Sequence, residues 1–516
     1  MQKNLVLAVV LSSLVYIGWY SVMEKKIQPQ APAAAQQAAP ASSSPQAAAS
    51  QTAASQAAAP VQVSAALKKE TVLLKAGKAE YVFYSAAGAM KSAVYEGPVA
   101  PVELIPDQET GFFASSLPGV FRLKEKTADS LEFEARPSPG LLITKKFTFS
   151  ADNSLNSLSV TAANTSAKTL PVPAWELSIG PGLGTVKSEE KENPKLWKAV
   201  YTYQEEGRKH PTLKDLKSLK GEPARADWVW AGLNNRYFLT AIISEGLSGV
   251  RPVRREAMVT EKAAPILALP MPASELKPGE KRAWEMQFYI GPKDYSKLVA
   301  LGHGLDRSVD FGFFSPLAKL ANSAIVYLHK LTGNYGAAII ILSVFIQLML
   351  TPLSFKSYKA MAVMKKIQPE MQAIQKKYKD DPKRMNTEVM ELYKRHGTNP
   401  LGGCLPMLLQ IPVFFSLFTA LRNSWDLHGA HFVFWIKDLS AKGPYYVLPI
   451  VMGGIMFLQQ NLNPQTADPS QAAMMKWMPV IFTFMFLTFP SGLVLYWLIN
   501  SSWGFAQSMY LKKTMA

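Results

Sequence analysis

The side chains placed to do unusual chemistry in this 516-residue chain are neutral ones. Ser343 and Gln347, then Gln410, Ser416 and Thr419, then Gln459 and Gln460, interrupt otherwise apolar stretches. Thr483 and Thr488, and finally Asn500, Ser501, Ser502 and Gln507, do the same nearer the end of the chain. An amide or hydroxyl there can hold water or a polar peptide group without the cost of a buried charge. The same groups can also tie helices together, and the residues alone leave both readings open. Bond-breaking chemistry is not assembled. A single cysteine, Cys404, excludes an internal disulfide framework and a multi-cysteine metal cluster. His210 and His303 lack matched partners, and the carboxylates are scattered. No catalytic residue, cofactor or metal is therefore assigned.

The elements that carry these residues follow from where charge is missing. No Asp, Glu, Lys or Arg lies between Lys3 and Glu24, Lys330 and Lys356, Arg395 and Arg422, Lys442 and Asp468, or Lys476 and Lys512. About 20 apolar residues span a bilayer as a helix, so the first four gaps fit one crossing each. The last, 35 residues long, fits two that turn at Pro490-Ser491-Gly492. Six crossings exclude an ordinary soluble enzyme. The five C-terminal crossings contain no ionisable residue in their interior, which argues against an ion-coupled pump. The net charge of +17 is concentrated: residues 354–398 carry 11 Lys/Arg against 5 Asp/Glu, whereas residues 61–310 carry 33 against 29. A basic loop between membrane segments reads as a cytoplasmic one, not as a nucleic-acid patch.

In chain order, residues 1–26 form a signal-anchor helix, and residues 27–66 an Ala/Gln/Pro/Ser tether too poor in large apolar groups to fold. Residues 67–310 alternate with period two in short runs such as EYVFYS (80–85) and LLITKKFTF (141–149), the signature of an antiparallel β-sandwich. The polar stretch Glu205–Arg225 reads as a surface loop. Residues 311–333 form an amphipathic interfacial helix, and 334–516 a five-crossing core that contains a helical hairpin over 354–398. Pro369 should divide that hairpin's first helix, Asp381-Pro382 should start the second and Gly397 should end it. If the basic hairpin is cytoplasmic, alternation puts both termini in the cytoplasm and the β domain outside. Residues Trp477–Pro490 make a short crossing, which thins the bilayer around it.

Three motifs, NPLGGCLPMLLQIPVFFSLF (399–418), FWIKDLS (434–440) and FPSGLVLYW (489–497), closely resemble the YidC/Oxa/Alb family of membrane protein insertases. The resemblance runs from about Pro316 to Tyr510, and the anchor, tether and β domain resemble the Gram-negative bacterial form. It implies an inner-membrane protein whose periplasmic domain is a β-supersandwich without an enzymatic role, and a hydrophilic groove among the five C-terminal helices. Ser343 and Gln347 match groove positions, while Phe414, Tyr496 and Trp497 match substrate-contacting positions; Gln410 and Asn500 join them as neutral polar neighbours. Implied partners are nascent membrane proteins, the SecYEG translocon with accessory Sec proteins, ribosomes and the lipid bilayer. The family usually carries an arginine five residues before the proline that corresponds to Pro352. This chain has Gln347 there, so a polar but uncharged groove is expected. The second class considered is a membrane-anchored periplasmic carbohydrate-active or carbohydrate-binding protein, which would need a paired acid/base cleft in the β domain. A channel or transporter is the third, disfavoured by the absence of repeat symmetry.

Overall fold

The computed structural model describes residues 70–107, 109, 111–152, 154–208, 210–259, 261–399, 405–462 and 469–515. The expected signal anchor and tether lie outside the described residues, as does Cys404.

Residues 71–292 form antiparallel sheets. The largest has nine strands in the order Thr212–Asp215, Lys198–Tyr203, Trp228–Asn234, Phe238–Ile243, Lys281–Pro292, Asn156–Asn164, Leu141–Thr148, Ser130–Ser138 and Arg122–Lys126. Two four-stranded sheets pack on it. Phe83 of one lies 4.8 Å from Phe147, and Trp175 of the other meets Trp284 edge-on at 5.3 Å. Period-two burial holds in Thr71–Ala76 and Leu141–Thr148, where alternate side chains enter the sandwich. It fails in Phe238–Ile243, which is buried on both faces. Its second face is covered by α1 (Tyr295–Leu301) and the turn Leu305–Ser308, through Leu298 and Leu305.

The stretch Glu205–Arg225 is not all loop. Thr212–Asp215 is an edge strand paired with Lys198–Tyr203, and the following turn buries Leu216. Its one or two apolar anchors sufficed because an edge strand needs only one partner. Lys293 sits buried beyond the last strand, donating to Asn234 Oδ1 at 2.9 Å, Asn235 O at 2.6 Å and Ser308 O at 3.0 Å. Burial pushes its ammonium down to about 7.

The rest of the described chain is helical: α2 (Ser315–Thr332), α3 (Tyr335–Lys366), α4 (Gln368–Lys377), α5 (Pro382–Arg395), α6 (Leu405–Asn423), α7 (Val447–Leu462), α8 (Pro469–Phe486) and α9 (Ser491–Met515). Helix α2 is two-faced, burying Ala318, Ala321, Asn322 and Ile325 while exposing Leu320, Tyr327 and Leu331. Helix α3 is continuous across residue 354, where the sequence suggested a junction, and Pro352 lies inside it. The Thr351 and Ser354 hydroxyls donate to the Gln347 and Leu350 carbonyls at 2.7 and 3.1 Å, the kind of local bonding that lets a proline remain within an apolar helix. Pro369 opens α4, and the Asp381 carboxylate caps α5 by accepting from the Arg384 amide at 3.0 Å. Gly397, at φ +59°, follows the end of α5. Ile367 and Leu392 are buried, and the Tyr393 hydroxyl donates to Met371 Sδ at 3.3 Å, so the two hairpin helices pack on each other along these residues.

Among the described residues one helical stretch, Tyr335–Met364, is long and apolar enough to cross a membrane by itself; Leu408–Asn423, Val447–Leu462 and Trp477–Phe486 are shorter apolar stretches. At about 1.5 Å per residue, the 16 residues of α7 cover roughly 24 Å of a hydrocarbon layer of roughly 30 Å. Gly453 lets α7 and α8 touch, since a Cβ there would stand 2.0 Å from Thr483 Oγ1.

The loop between α6 and α7 joins the helical part to the sheets. Trp425, 9 % exposed, enters the β core, 5.0 Å from Phe238, 6.0 Å from Tyr237 and 6.1 Å from Tyr95. Beside it, the Asn423 amide donates to Asp310 O at 2.6 Å, and the Thr419 hydroxyl to Phe311 O at 3.0 Å.

Candidate functional site

Apolar packing brings α3, α6 and α9 together around Ile339, Leu417, Leu493 and Tyr496. The polar residues on these helices then meet inside an otherwise apolar bundle. Gln347 of α3 donates through Nε2 to Asn500 Oδ1 of α9 at 2.7 Å. Tyr496 lies one helical turn before Asn500 on α9. Gln410 of α6 donates through Nε2 to the Tyr496 hydroxyl at 2.7 Å. Four of the residues singled out from sequence thus form two interhelical hydrogen bonds that end on the same turn of α9. Asn500 Nδ2 is buried and has no partner among the described residues.

All four side chains are neutral, which fits the place of Gln347. Among the described residues no carboxylate lines this cluster, so the position has no buried anion to balance. An amide needs only neutral partners, and Asn500 Oδ1 supplies the acceptor.

Phe414 and Trp497 are also brought together, 4.9 Å apart and edge-on, with Phe482 and Phe486 of α8 stacked or tilted against the indole at 5.8 and 5.3 Å. Both side chains are half-buried, whereas Tyr496 is fully buried. Ser343 stands apart. It is buried, but its hydroxyl donates to Ile339 O at 2.6 Å in its own helix.

A second polar cluster lies one turn further along α3. Thr351 Oγ1 accepts from Trp503 Nε1 at 3.1 Å and from Gln507 Nε2 at 2.8 Å. Gln507 was visible in sequence as a polar interruption. Thr351 and Trp503 were not, because a threonine beside a proline reads as a helix end and a tryptophan as an interfacial anchor. Gln459 packs on Gly504, where a Cβ would lie 2.6 Å from its Nε2. Among the described residues, no three His, Cys, Asp or Glu side chains converge where they could hold a metal ion.

Comparison with known proteins gives two family models end to end: the YidC periplasmic domain over residues 66–321, and the 60Kd inner membrane protein over residues 327–516. The chain is 40 % identical over 435 residues to the membrane protein insertase YidC of Endomicrobium trichonymphae, covering 83 % of this chain and 82 % of that one. It is 36 % identical over 550 residues to the membrane protein insertase YidC of Pelobacter propionicus, covering 99 % of each. A crystal structure of an active YidC insertase with its first transmembrane domain resolved superposes with a TM-score of 0.39 at 19 % identity, covering 86 % of this chain and 93 % of that one. With a β-rich periplasmic domain followed by a helical membrane part, and with relatives of this identity matched over most of their length, the chain belongs to the YidC family of membrane protein insertases.

Proposed function

We propose that the chain inserts nascent proteins into the inner membrane through a hydrated groove lined by Gln347, Gln410, Tyr496 and Asn500, with Ser343 on the same helix. The observation that carries this reading is the buried Asn500 Nδ2, unpartnered among the described residues, beside the Gln347–Asn500 and Gln410–Tyr496 hydrogen bonds. A buried amide donor left without a partner costs about 1–3 kcal/mol, so the site favours water or a substrate carbonyl as its missing acceptor. A polar flank that enters there keeps its backbone groups solvated while the apolar part of the segment passes into lipid along Phe414 and Trp497. Moving the same flank through hydrocarbon would cost several kcal/mol for each unsatisfied group. The groove lowers that barrier without an energy source, and the short apolar stretch Trp477–Phe486 thins the bilayer beside it.

In this reading the chain has six crossings, with the anchor at 1–26 as the first. The domain over 67–310 is a periplasmic supersandwich, the helix over 311–333 lies at the interface, and the core spans 334–516. Both termini and the hairpin 354–398 are cytoplasmic. The basic hairpin meets substrates emerging from ribosomes, and the SecYEG translocon shares longer clients. The test is reconstitution into vesicles with a single-span substrate bearing a polar translocated tail. Asn500→Leu should reduce insertion per molecule of reconstituted protein. Wild-type insertion by that variant would remove Asn500 from the path.

A further inference from the structure

A cleft of about 560 Å³ opens where the nine-stranded sheet meets the start of α2, and none of Gln347, Gln410, Tyr496 and Asn500 lines it. Its lining carries four cations, Lys198, Arg208, Arg307 and Lys319, against two carboxylates, Asp306 and Asp310. Lys319 is already paired with Asp306 at 3.3 Å, and Arg208 with Glu205 at 3.0 Å. Asp310 spends one oxygen on the Gly312 amide at 2.9 Å. The balance left in the cleft is positive.

Three features belong to this cleft and its rim. Arg307 Nε is buried and has no hydrogen-bond partner among the described residues. A buried guanidinium N–H in that state costs stability unless an anion meets it. Ser315 opens the 18-residue α2 in the cleft wall, and its first turn has no side-chain cap. The free amides and the helix dipole there favour negative charge. Phe313, 93 % exposed, lies in sequence between the lining residues Gly312 and Ser315, and the exposed Leu317 and Leu320 follow in the first turns of α2.

We propose that this cleft binds a phosphate group, supplied by the headgroup of an anionic phospholipid whose acyl chains lie along Phe313, Leu317 and Leu320. Arg307 takes the phosphate oxygens as a forked donor, Lys198 contributes charge from the sheet, and the first turn of α2 contributes backbone N–H groups. The bound lipid would fix the angle at which α2 leaves the β domain. It touches none of the residues of the insertion groove.

The experiment uses the full chain in nanodiscs of equal parts phosphatidylethanolamine and phosphatidylglycerol, followed by native mass spectrometry of the released protein. Wild type should retain phosphatidylglycerol in preference to phosphatidylethanolamine. Arg307→Gln and Lys198→Gln should each weaken retention about tenfold, the scale of one lost hydrogen bond to a charged group. Arg307→Lys should recover part of it. Retention that withstands excess inorganic phosphate supports the lipid as source. Line broadening of inorganic phosphate by delipidated wild type, lost in both glutamine variants, supports the same site with the free ion as source. Lys198 is exposed, so its substitution leaves the fold intact. Equal retention of both lipids by wild type, or equal retention of phosphatidylglycerol by wild type and Lys198→Gln, overturns the proposal.

Discussion

Gln347 and Asn500, 153 positions apart, are joined by a 2.7 Å hydrogen bond in which the Gln347 amide donates to the Asn500 carbonyl oxygen. The bond leaves the other half of the Asn500 amide without an acceptor among the described residues. This division of labour separates positioning from binding: Gln347 orients Asn500, and Asn500 keeps a donor for something else. Gln347→Leu should therefore lower insertion of substrates with polar tails about threefold per molecule, the factor carried by an interhelical hydrogen bond of about 0.6 kcal/mol. Gln347→Arg retains a donor and should be tolerated. Insertion normalised to protein level decides between this and a role as interhelical glue, which would lower abundance and leave the yield per molecule unchanged.

Trp425 belongs by sequence to the membrane core and by packing to the β domain. Its indole lies among Tyr95, Tyr237 and Phe238. Trp425→Ala should destabilise this junction by about 3 kcal/mol, as for a large aromatic removed from a core, and Trp425→Phe by less. Limited proteolysis of the loop between α6 and α7 should accelerate in the alanine variant, and an unchanged cleavage rate would show that the junction is held elsewhere. Deleting residues 61–300 removes the whole aromatic box, so a core made that way exposes Trp425 to water. Pairing the deletion with Trp425→Ser should improve its solubility.

How far these sites were legible in the sequence depends on the range of the interaction. Alternation exposed the strands, because one-sided burial imprints a period of two; it could not reveal Phe238–Ile243 as doubly buried, since α1 covers that strand from more than fifty residues away. Charge-free gaps marked the apolar helices, and Gln347, Gln410 and Asn500 stood out against them. Their mutual bonding was not legible, because it is set by which helices become neighbours. Trp425 carried no signal at all: an aromatic in a short loop between apolar helices reads as an interfacial anchor. The cleft beside Arg307 is likewise assembled from four separate stretches of chain.

The hairpin of α4 and α5 tests the topology. Lys376 and Lys383 are both exposed, and the segment is capped and closed on itself through Asp381 and Met371. Cysteines placed at either position in a Cys404→Ser background should react with a membrane-impermeant maleimide only after the inner membrane is opened. Labelling in intact spheroplasts would put the hairpin on the periplasmic side and reverse every crossing after it.

The loop beside Trp425 should also make stability depend on pH, with a sign that can be worked out. Burial pushes the Asp426 carboxyl up to about 6, helped by the Asp294 carboxylate and opposed by the Ser424 hydroxyl at 3.5 Å. A folded-state value above the unfolded one means that the native state binds the extra proton. The contribution of Asp426 is then fully present below about pH 4 and is lost as pH rises through about 6. His428, buried against Trp425 at 5.1 Å, works in the other direction. Burial lowers its imidazole, against the pull of Asp438 at 3.6 Å, so its contribution grows as pH rises. The two partly cancel in the wild type, and only a difference measurement resolves them. Asp426→Asn removes the first and leaves the second. It should raise the melting temperature at neutral pH, have little effect near pH 4, and leave a variant whose stability climbs more steeply with pH than that of wild type. Tryptophan fluorescence melts of the full chain in detergent report this directly, and an Asn variant less stable than wild type at pH 7 would show that Asp426 stays ionised and bonded in the fold.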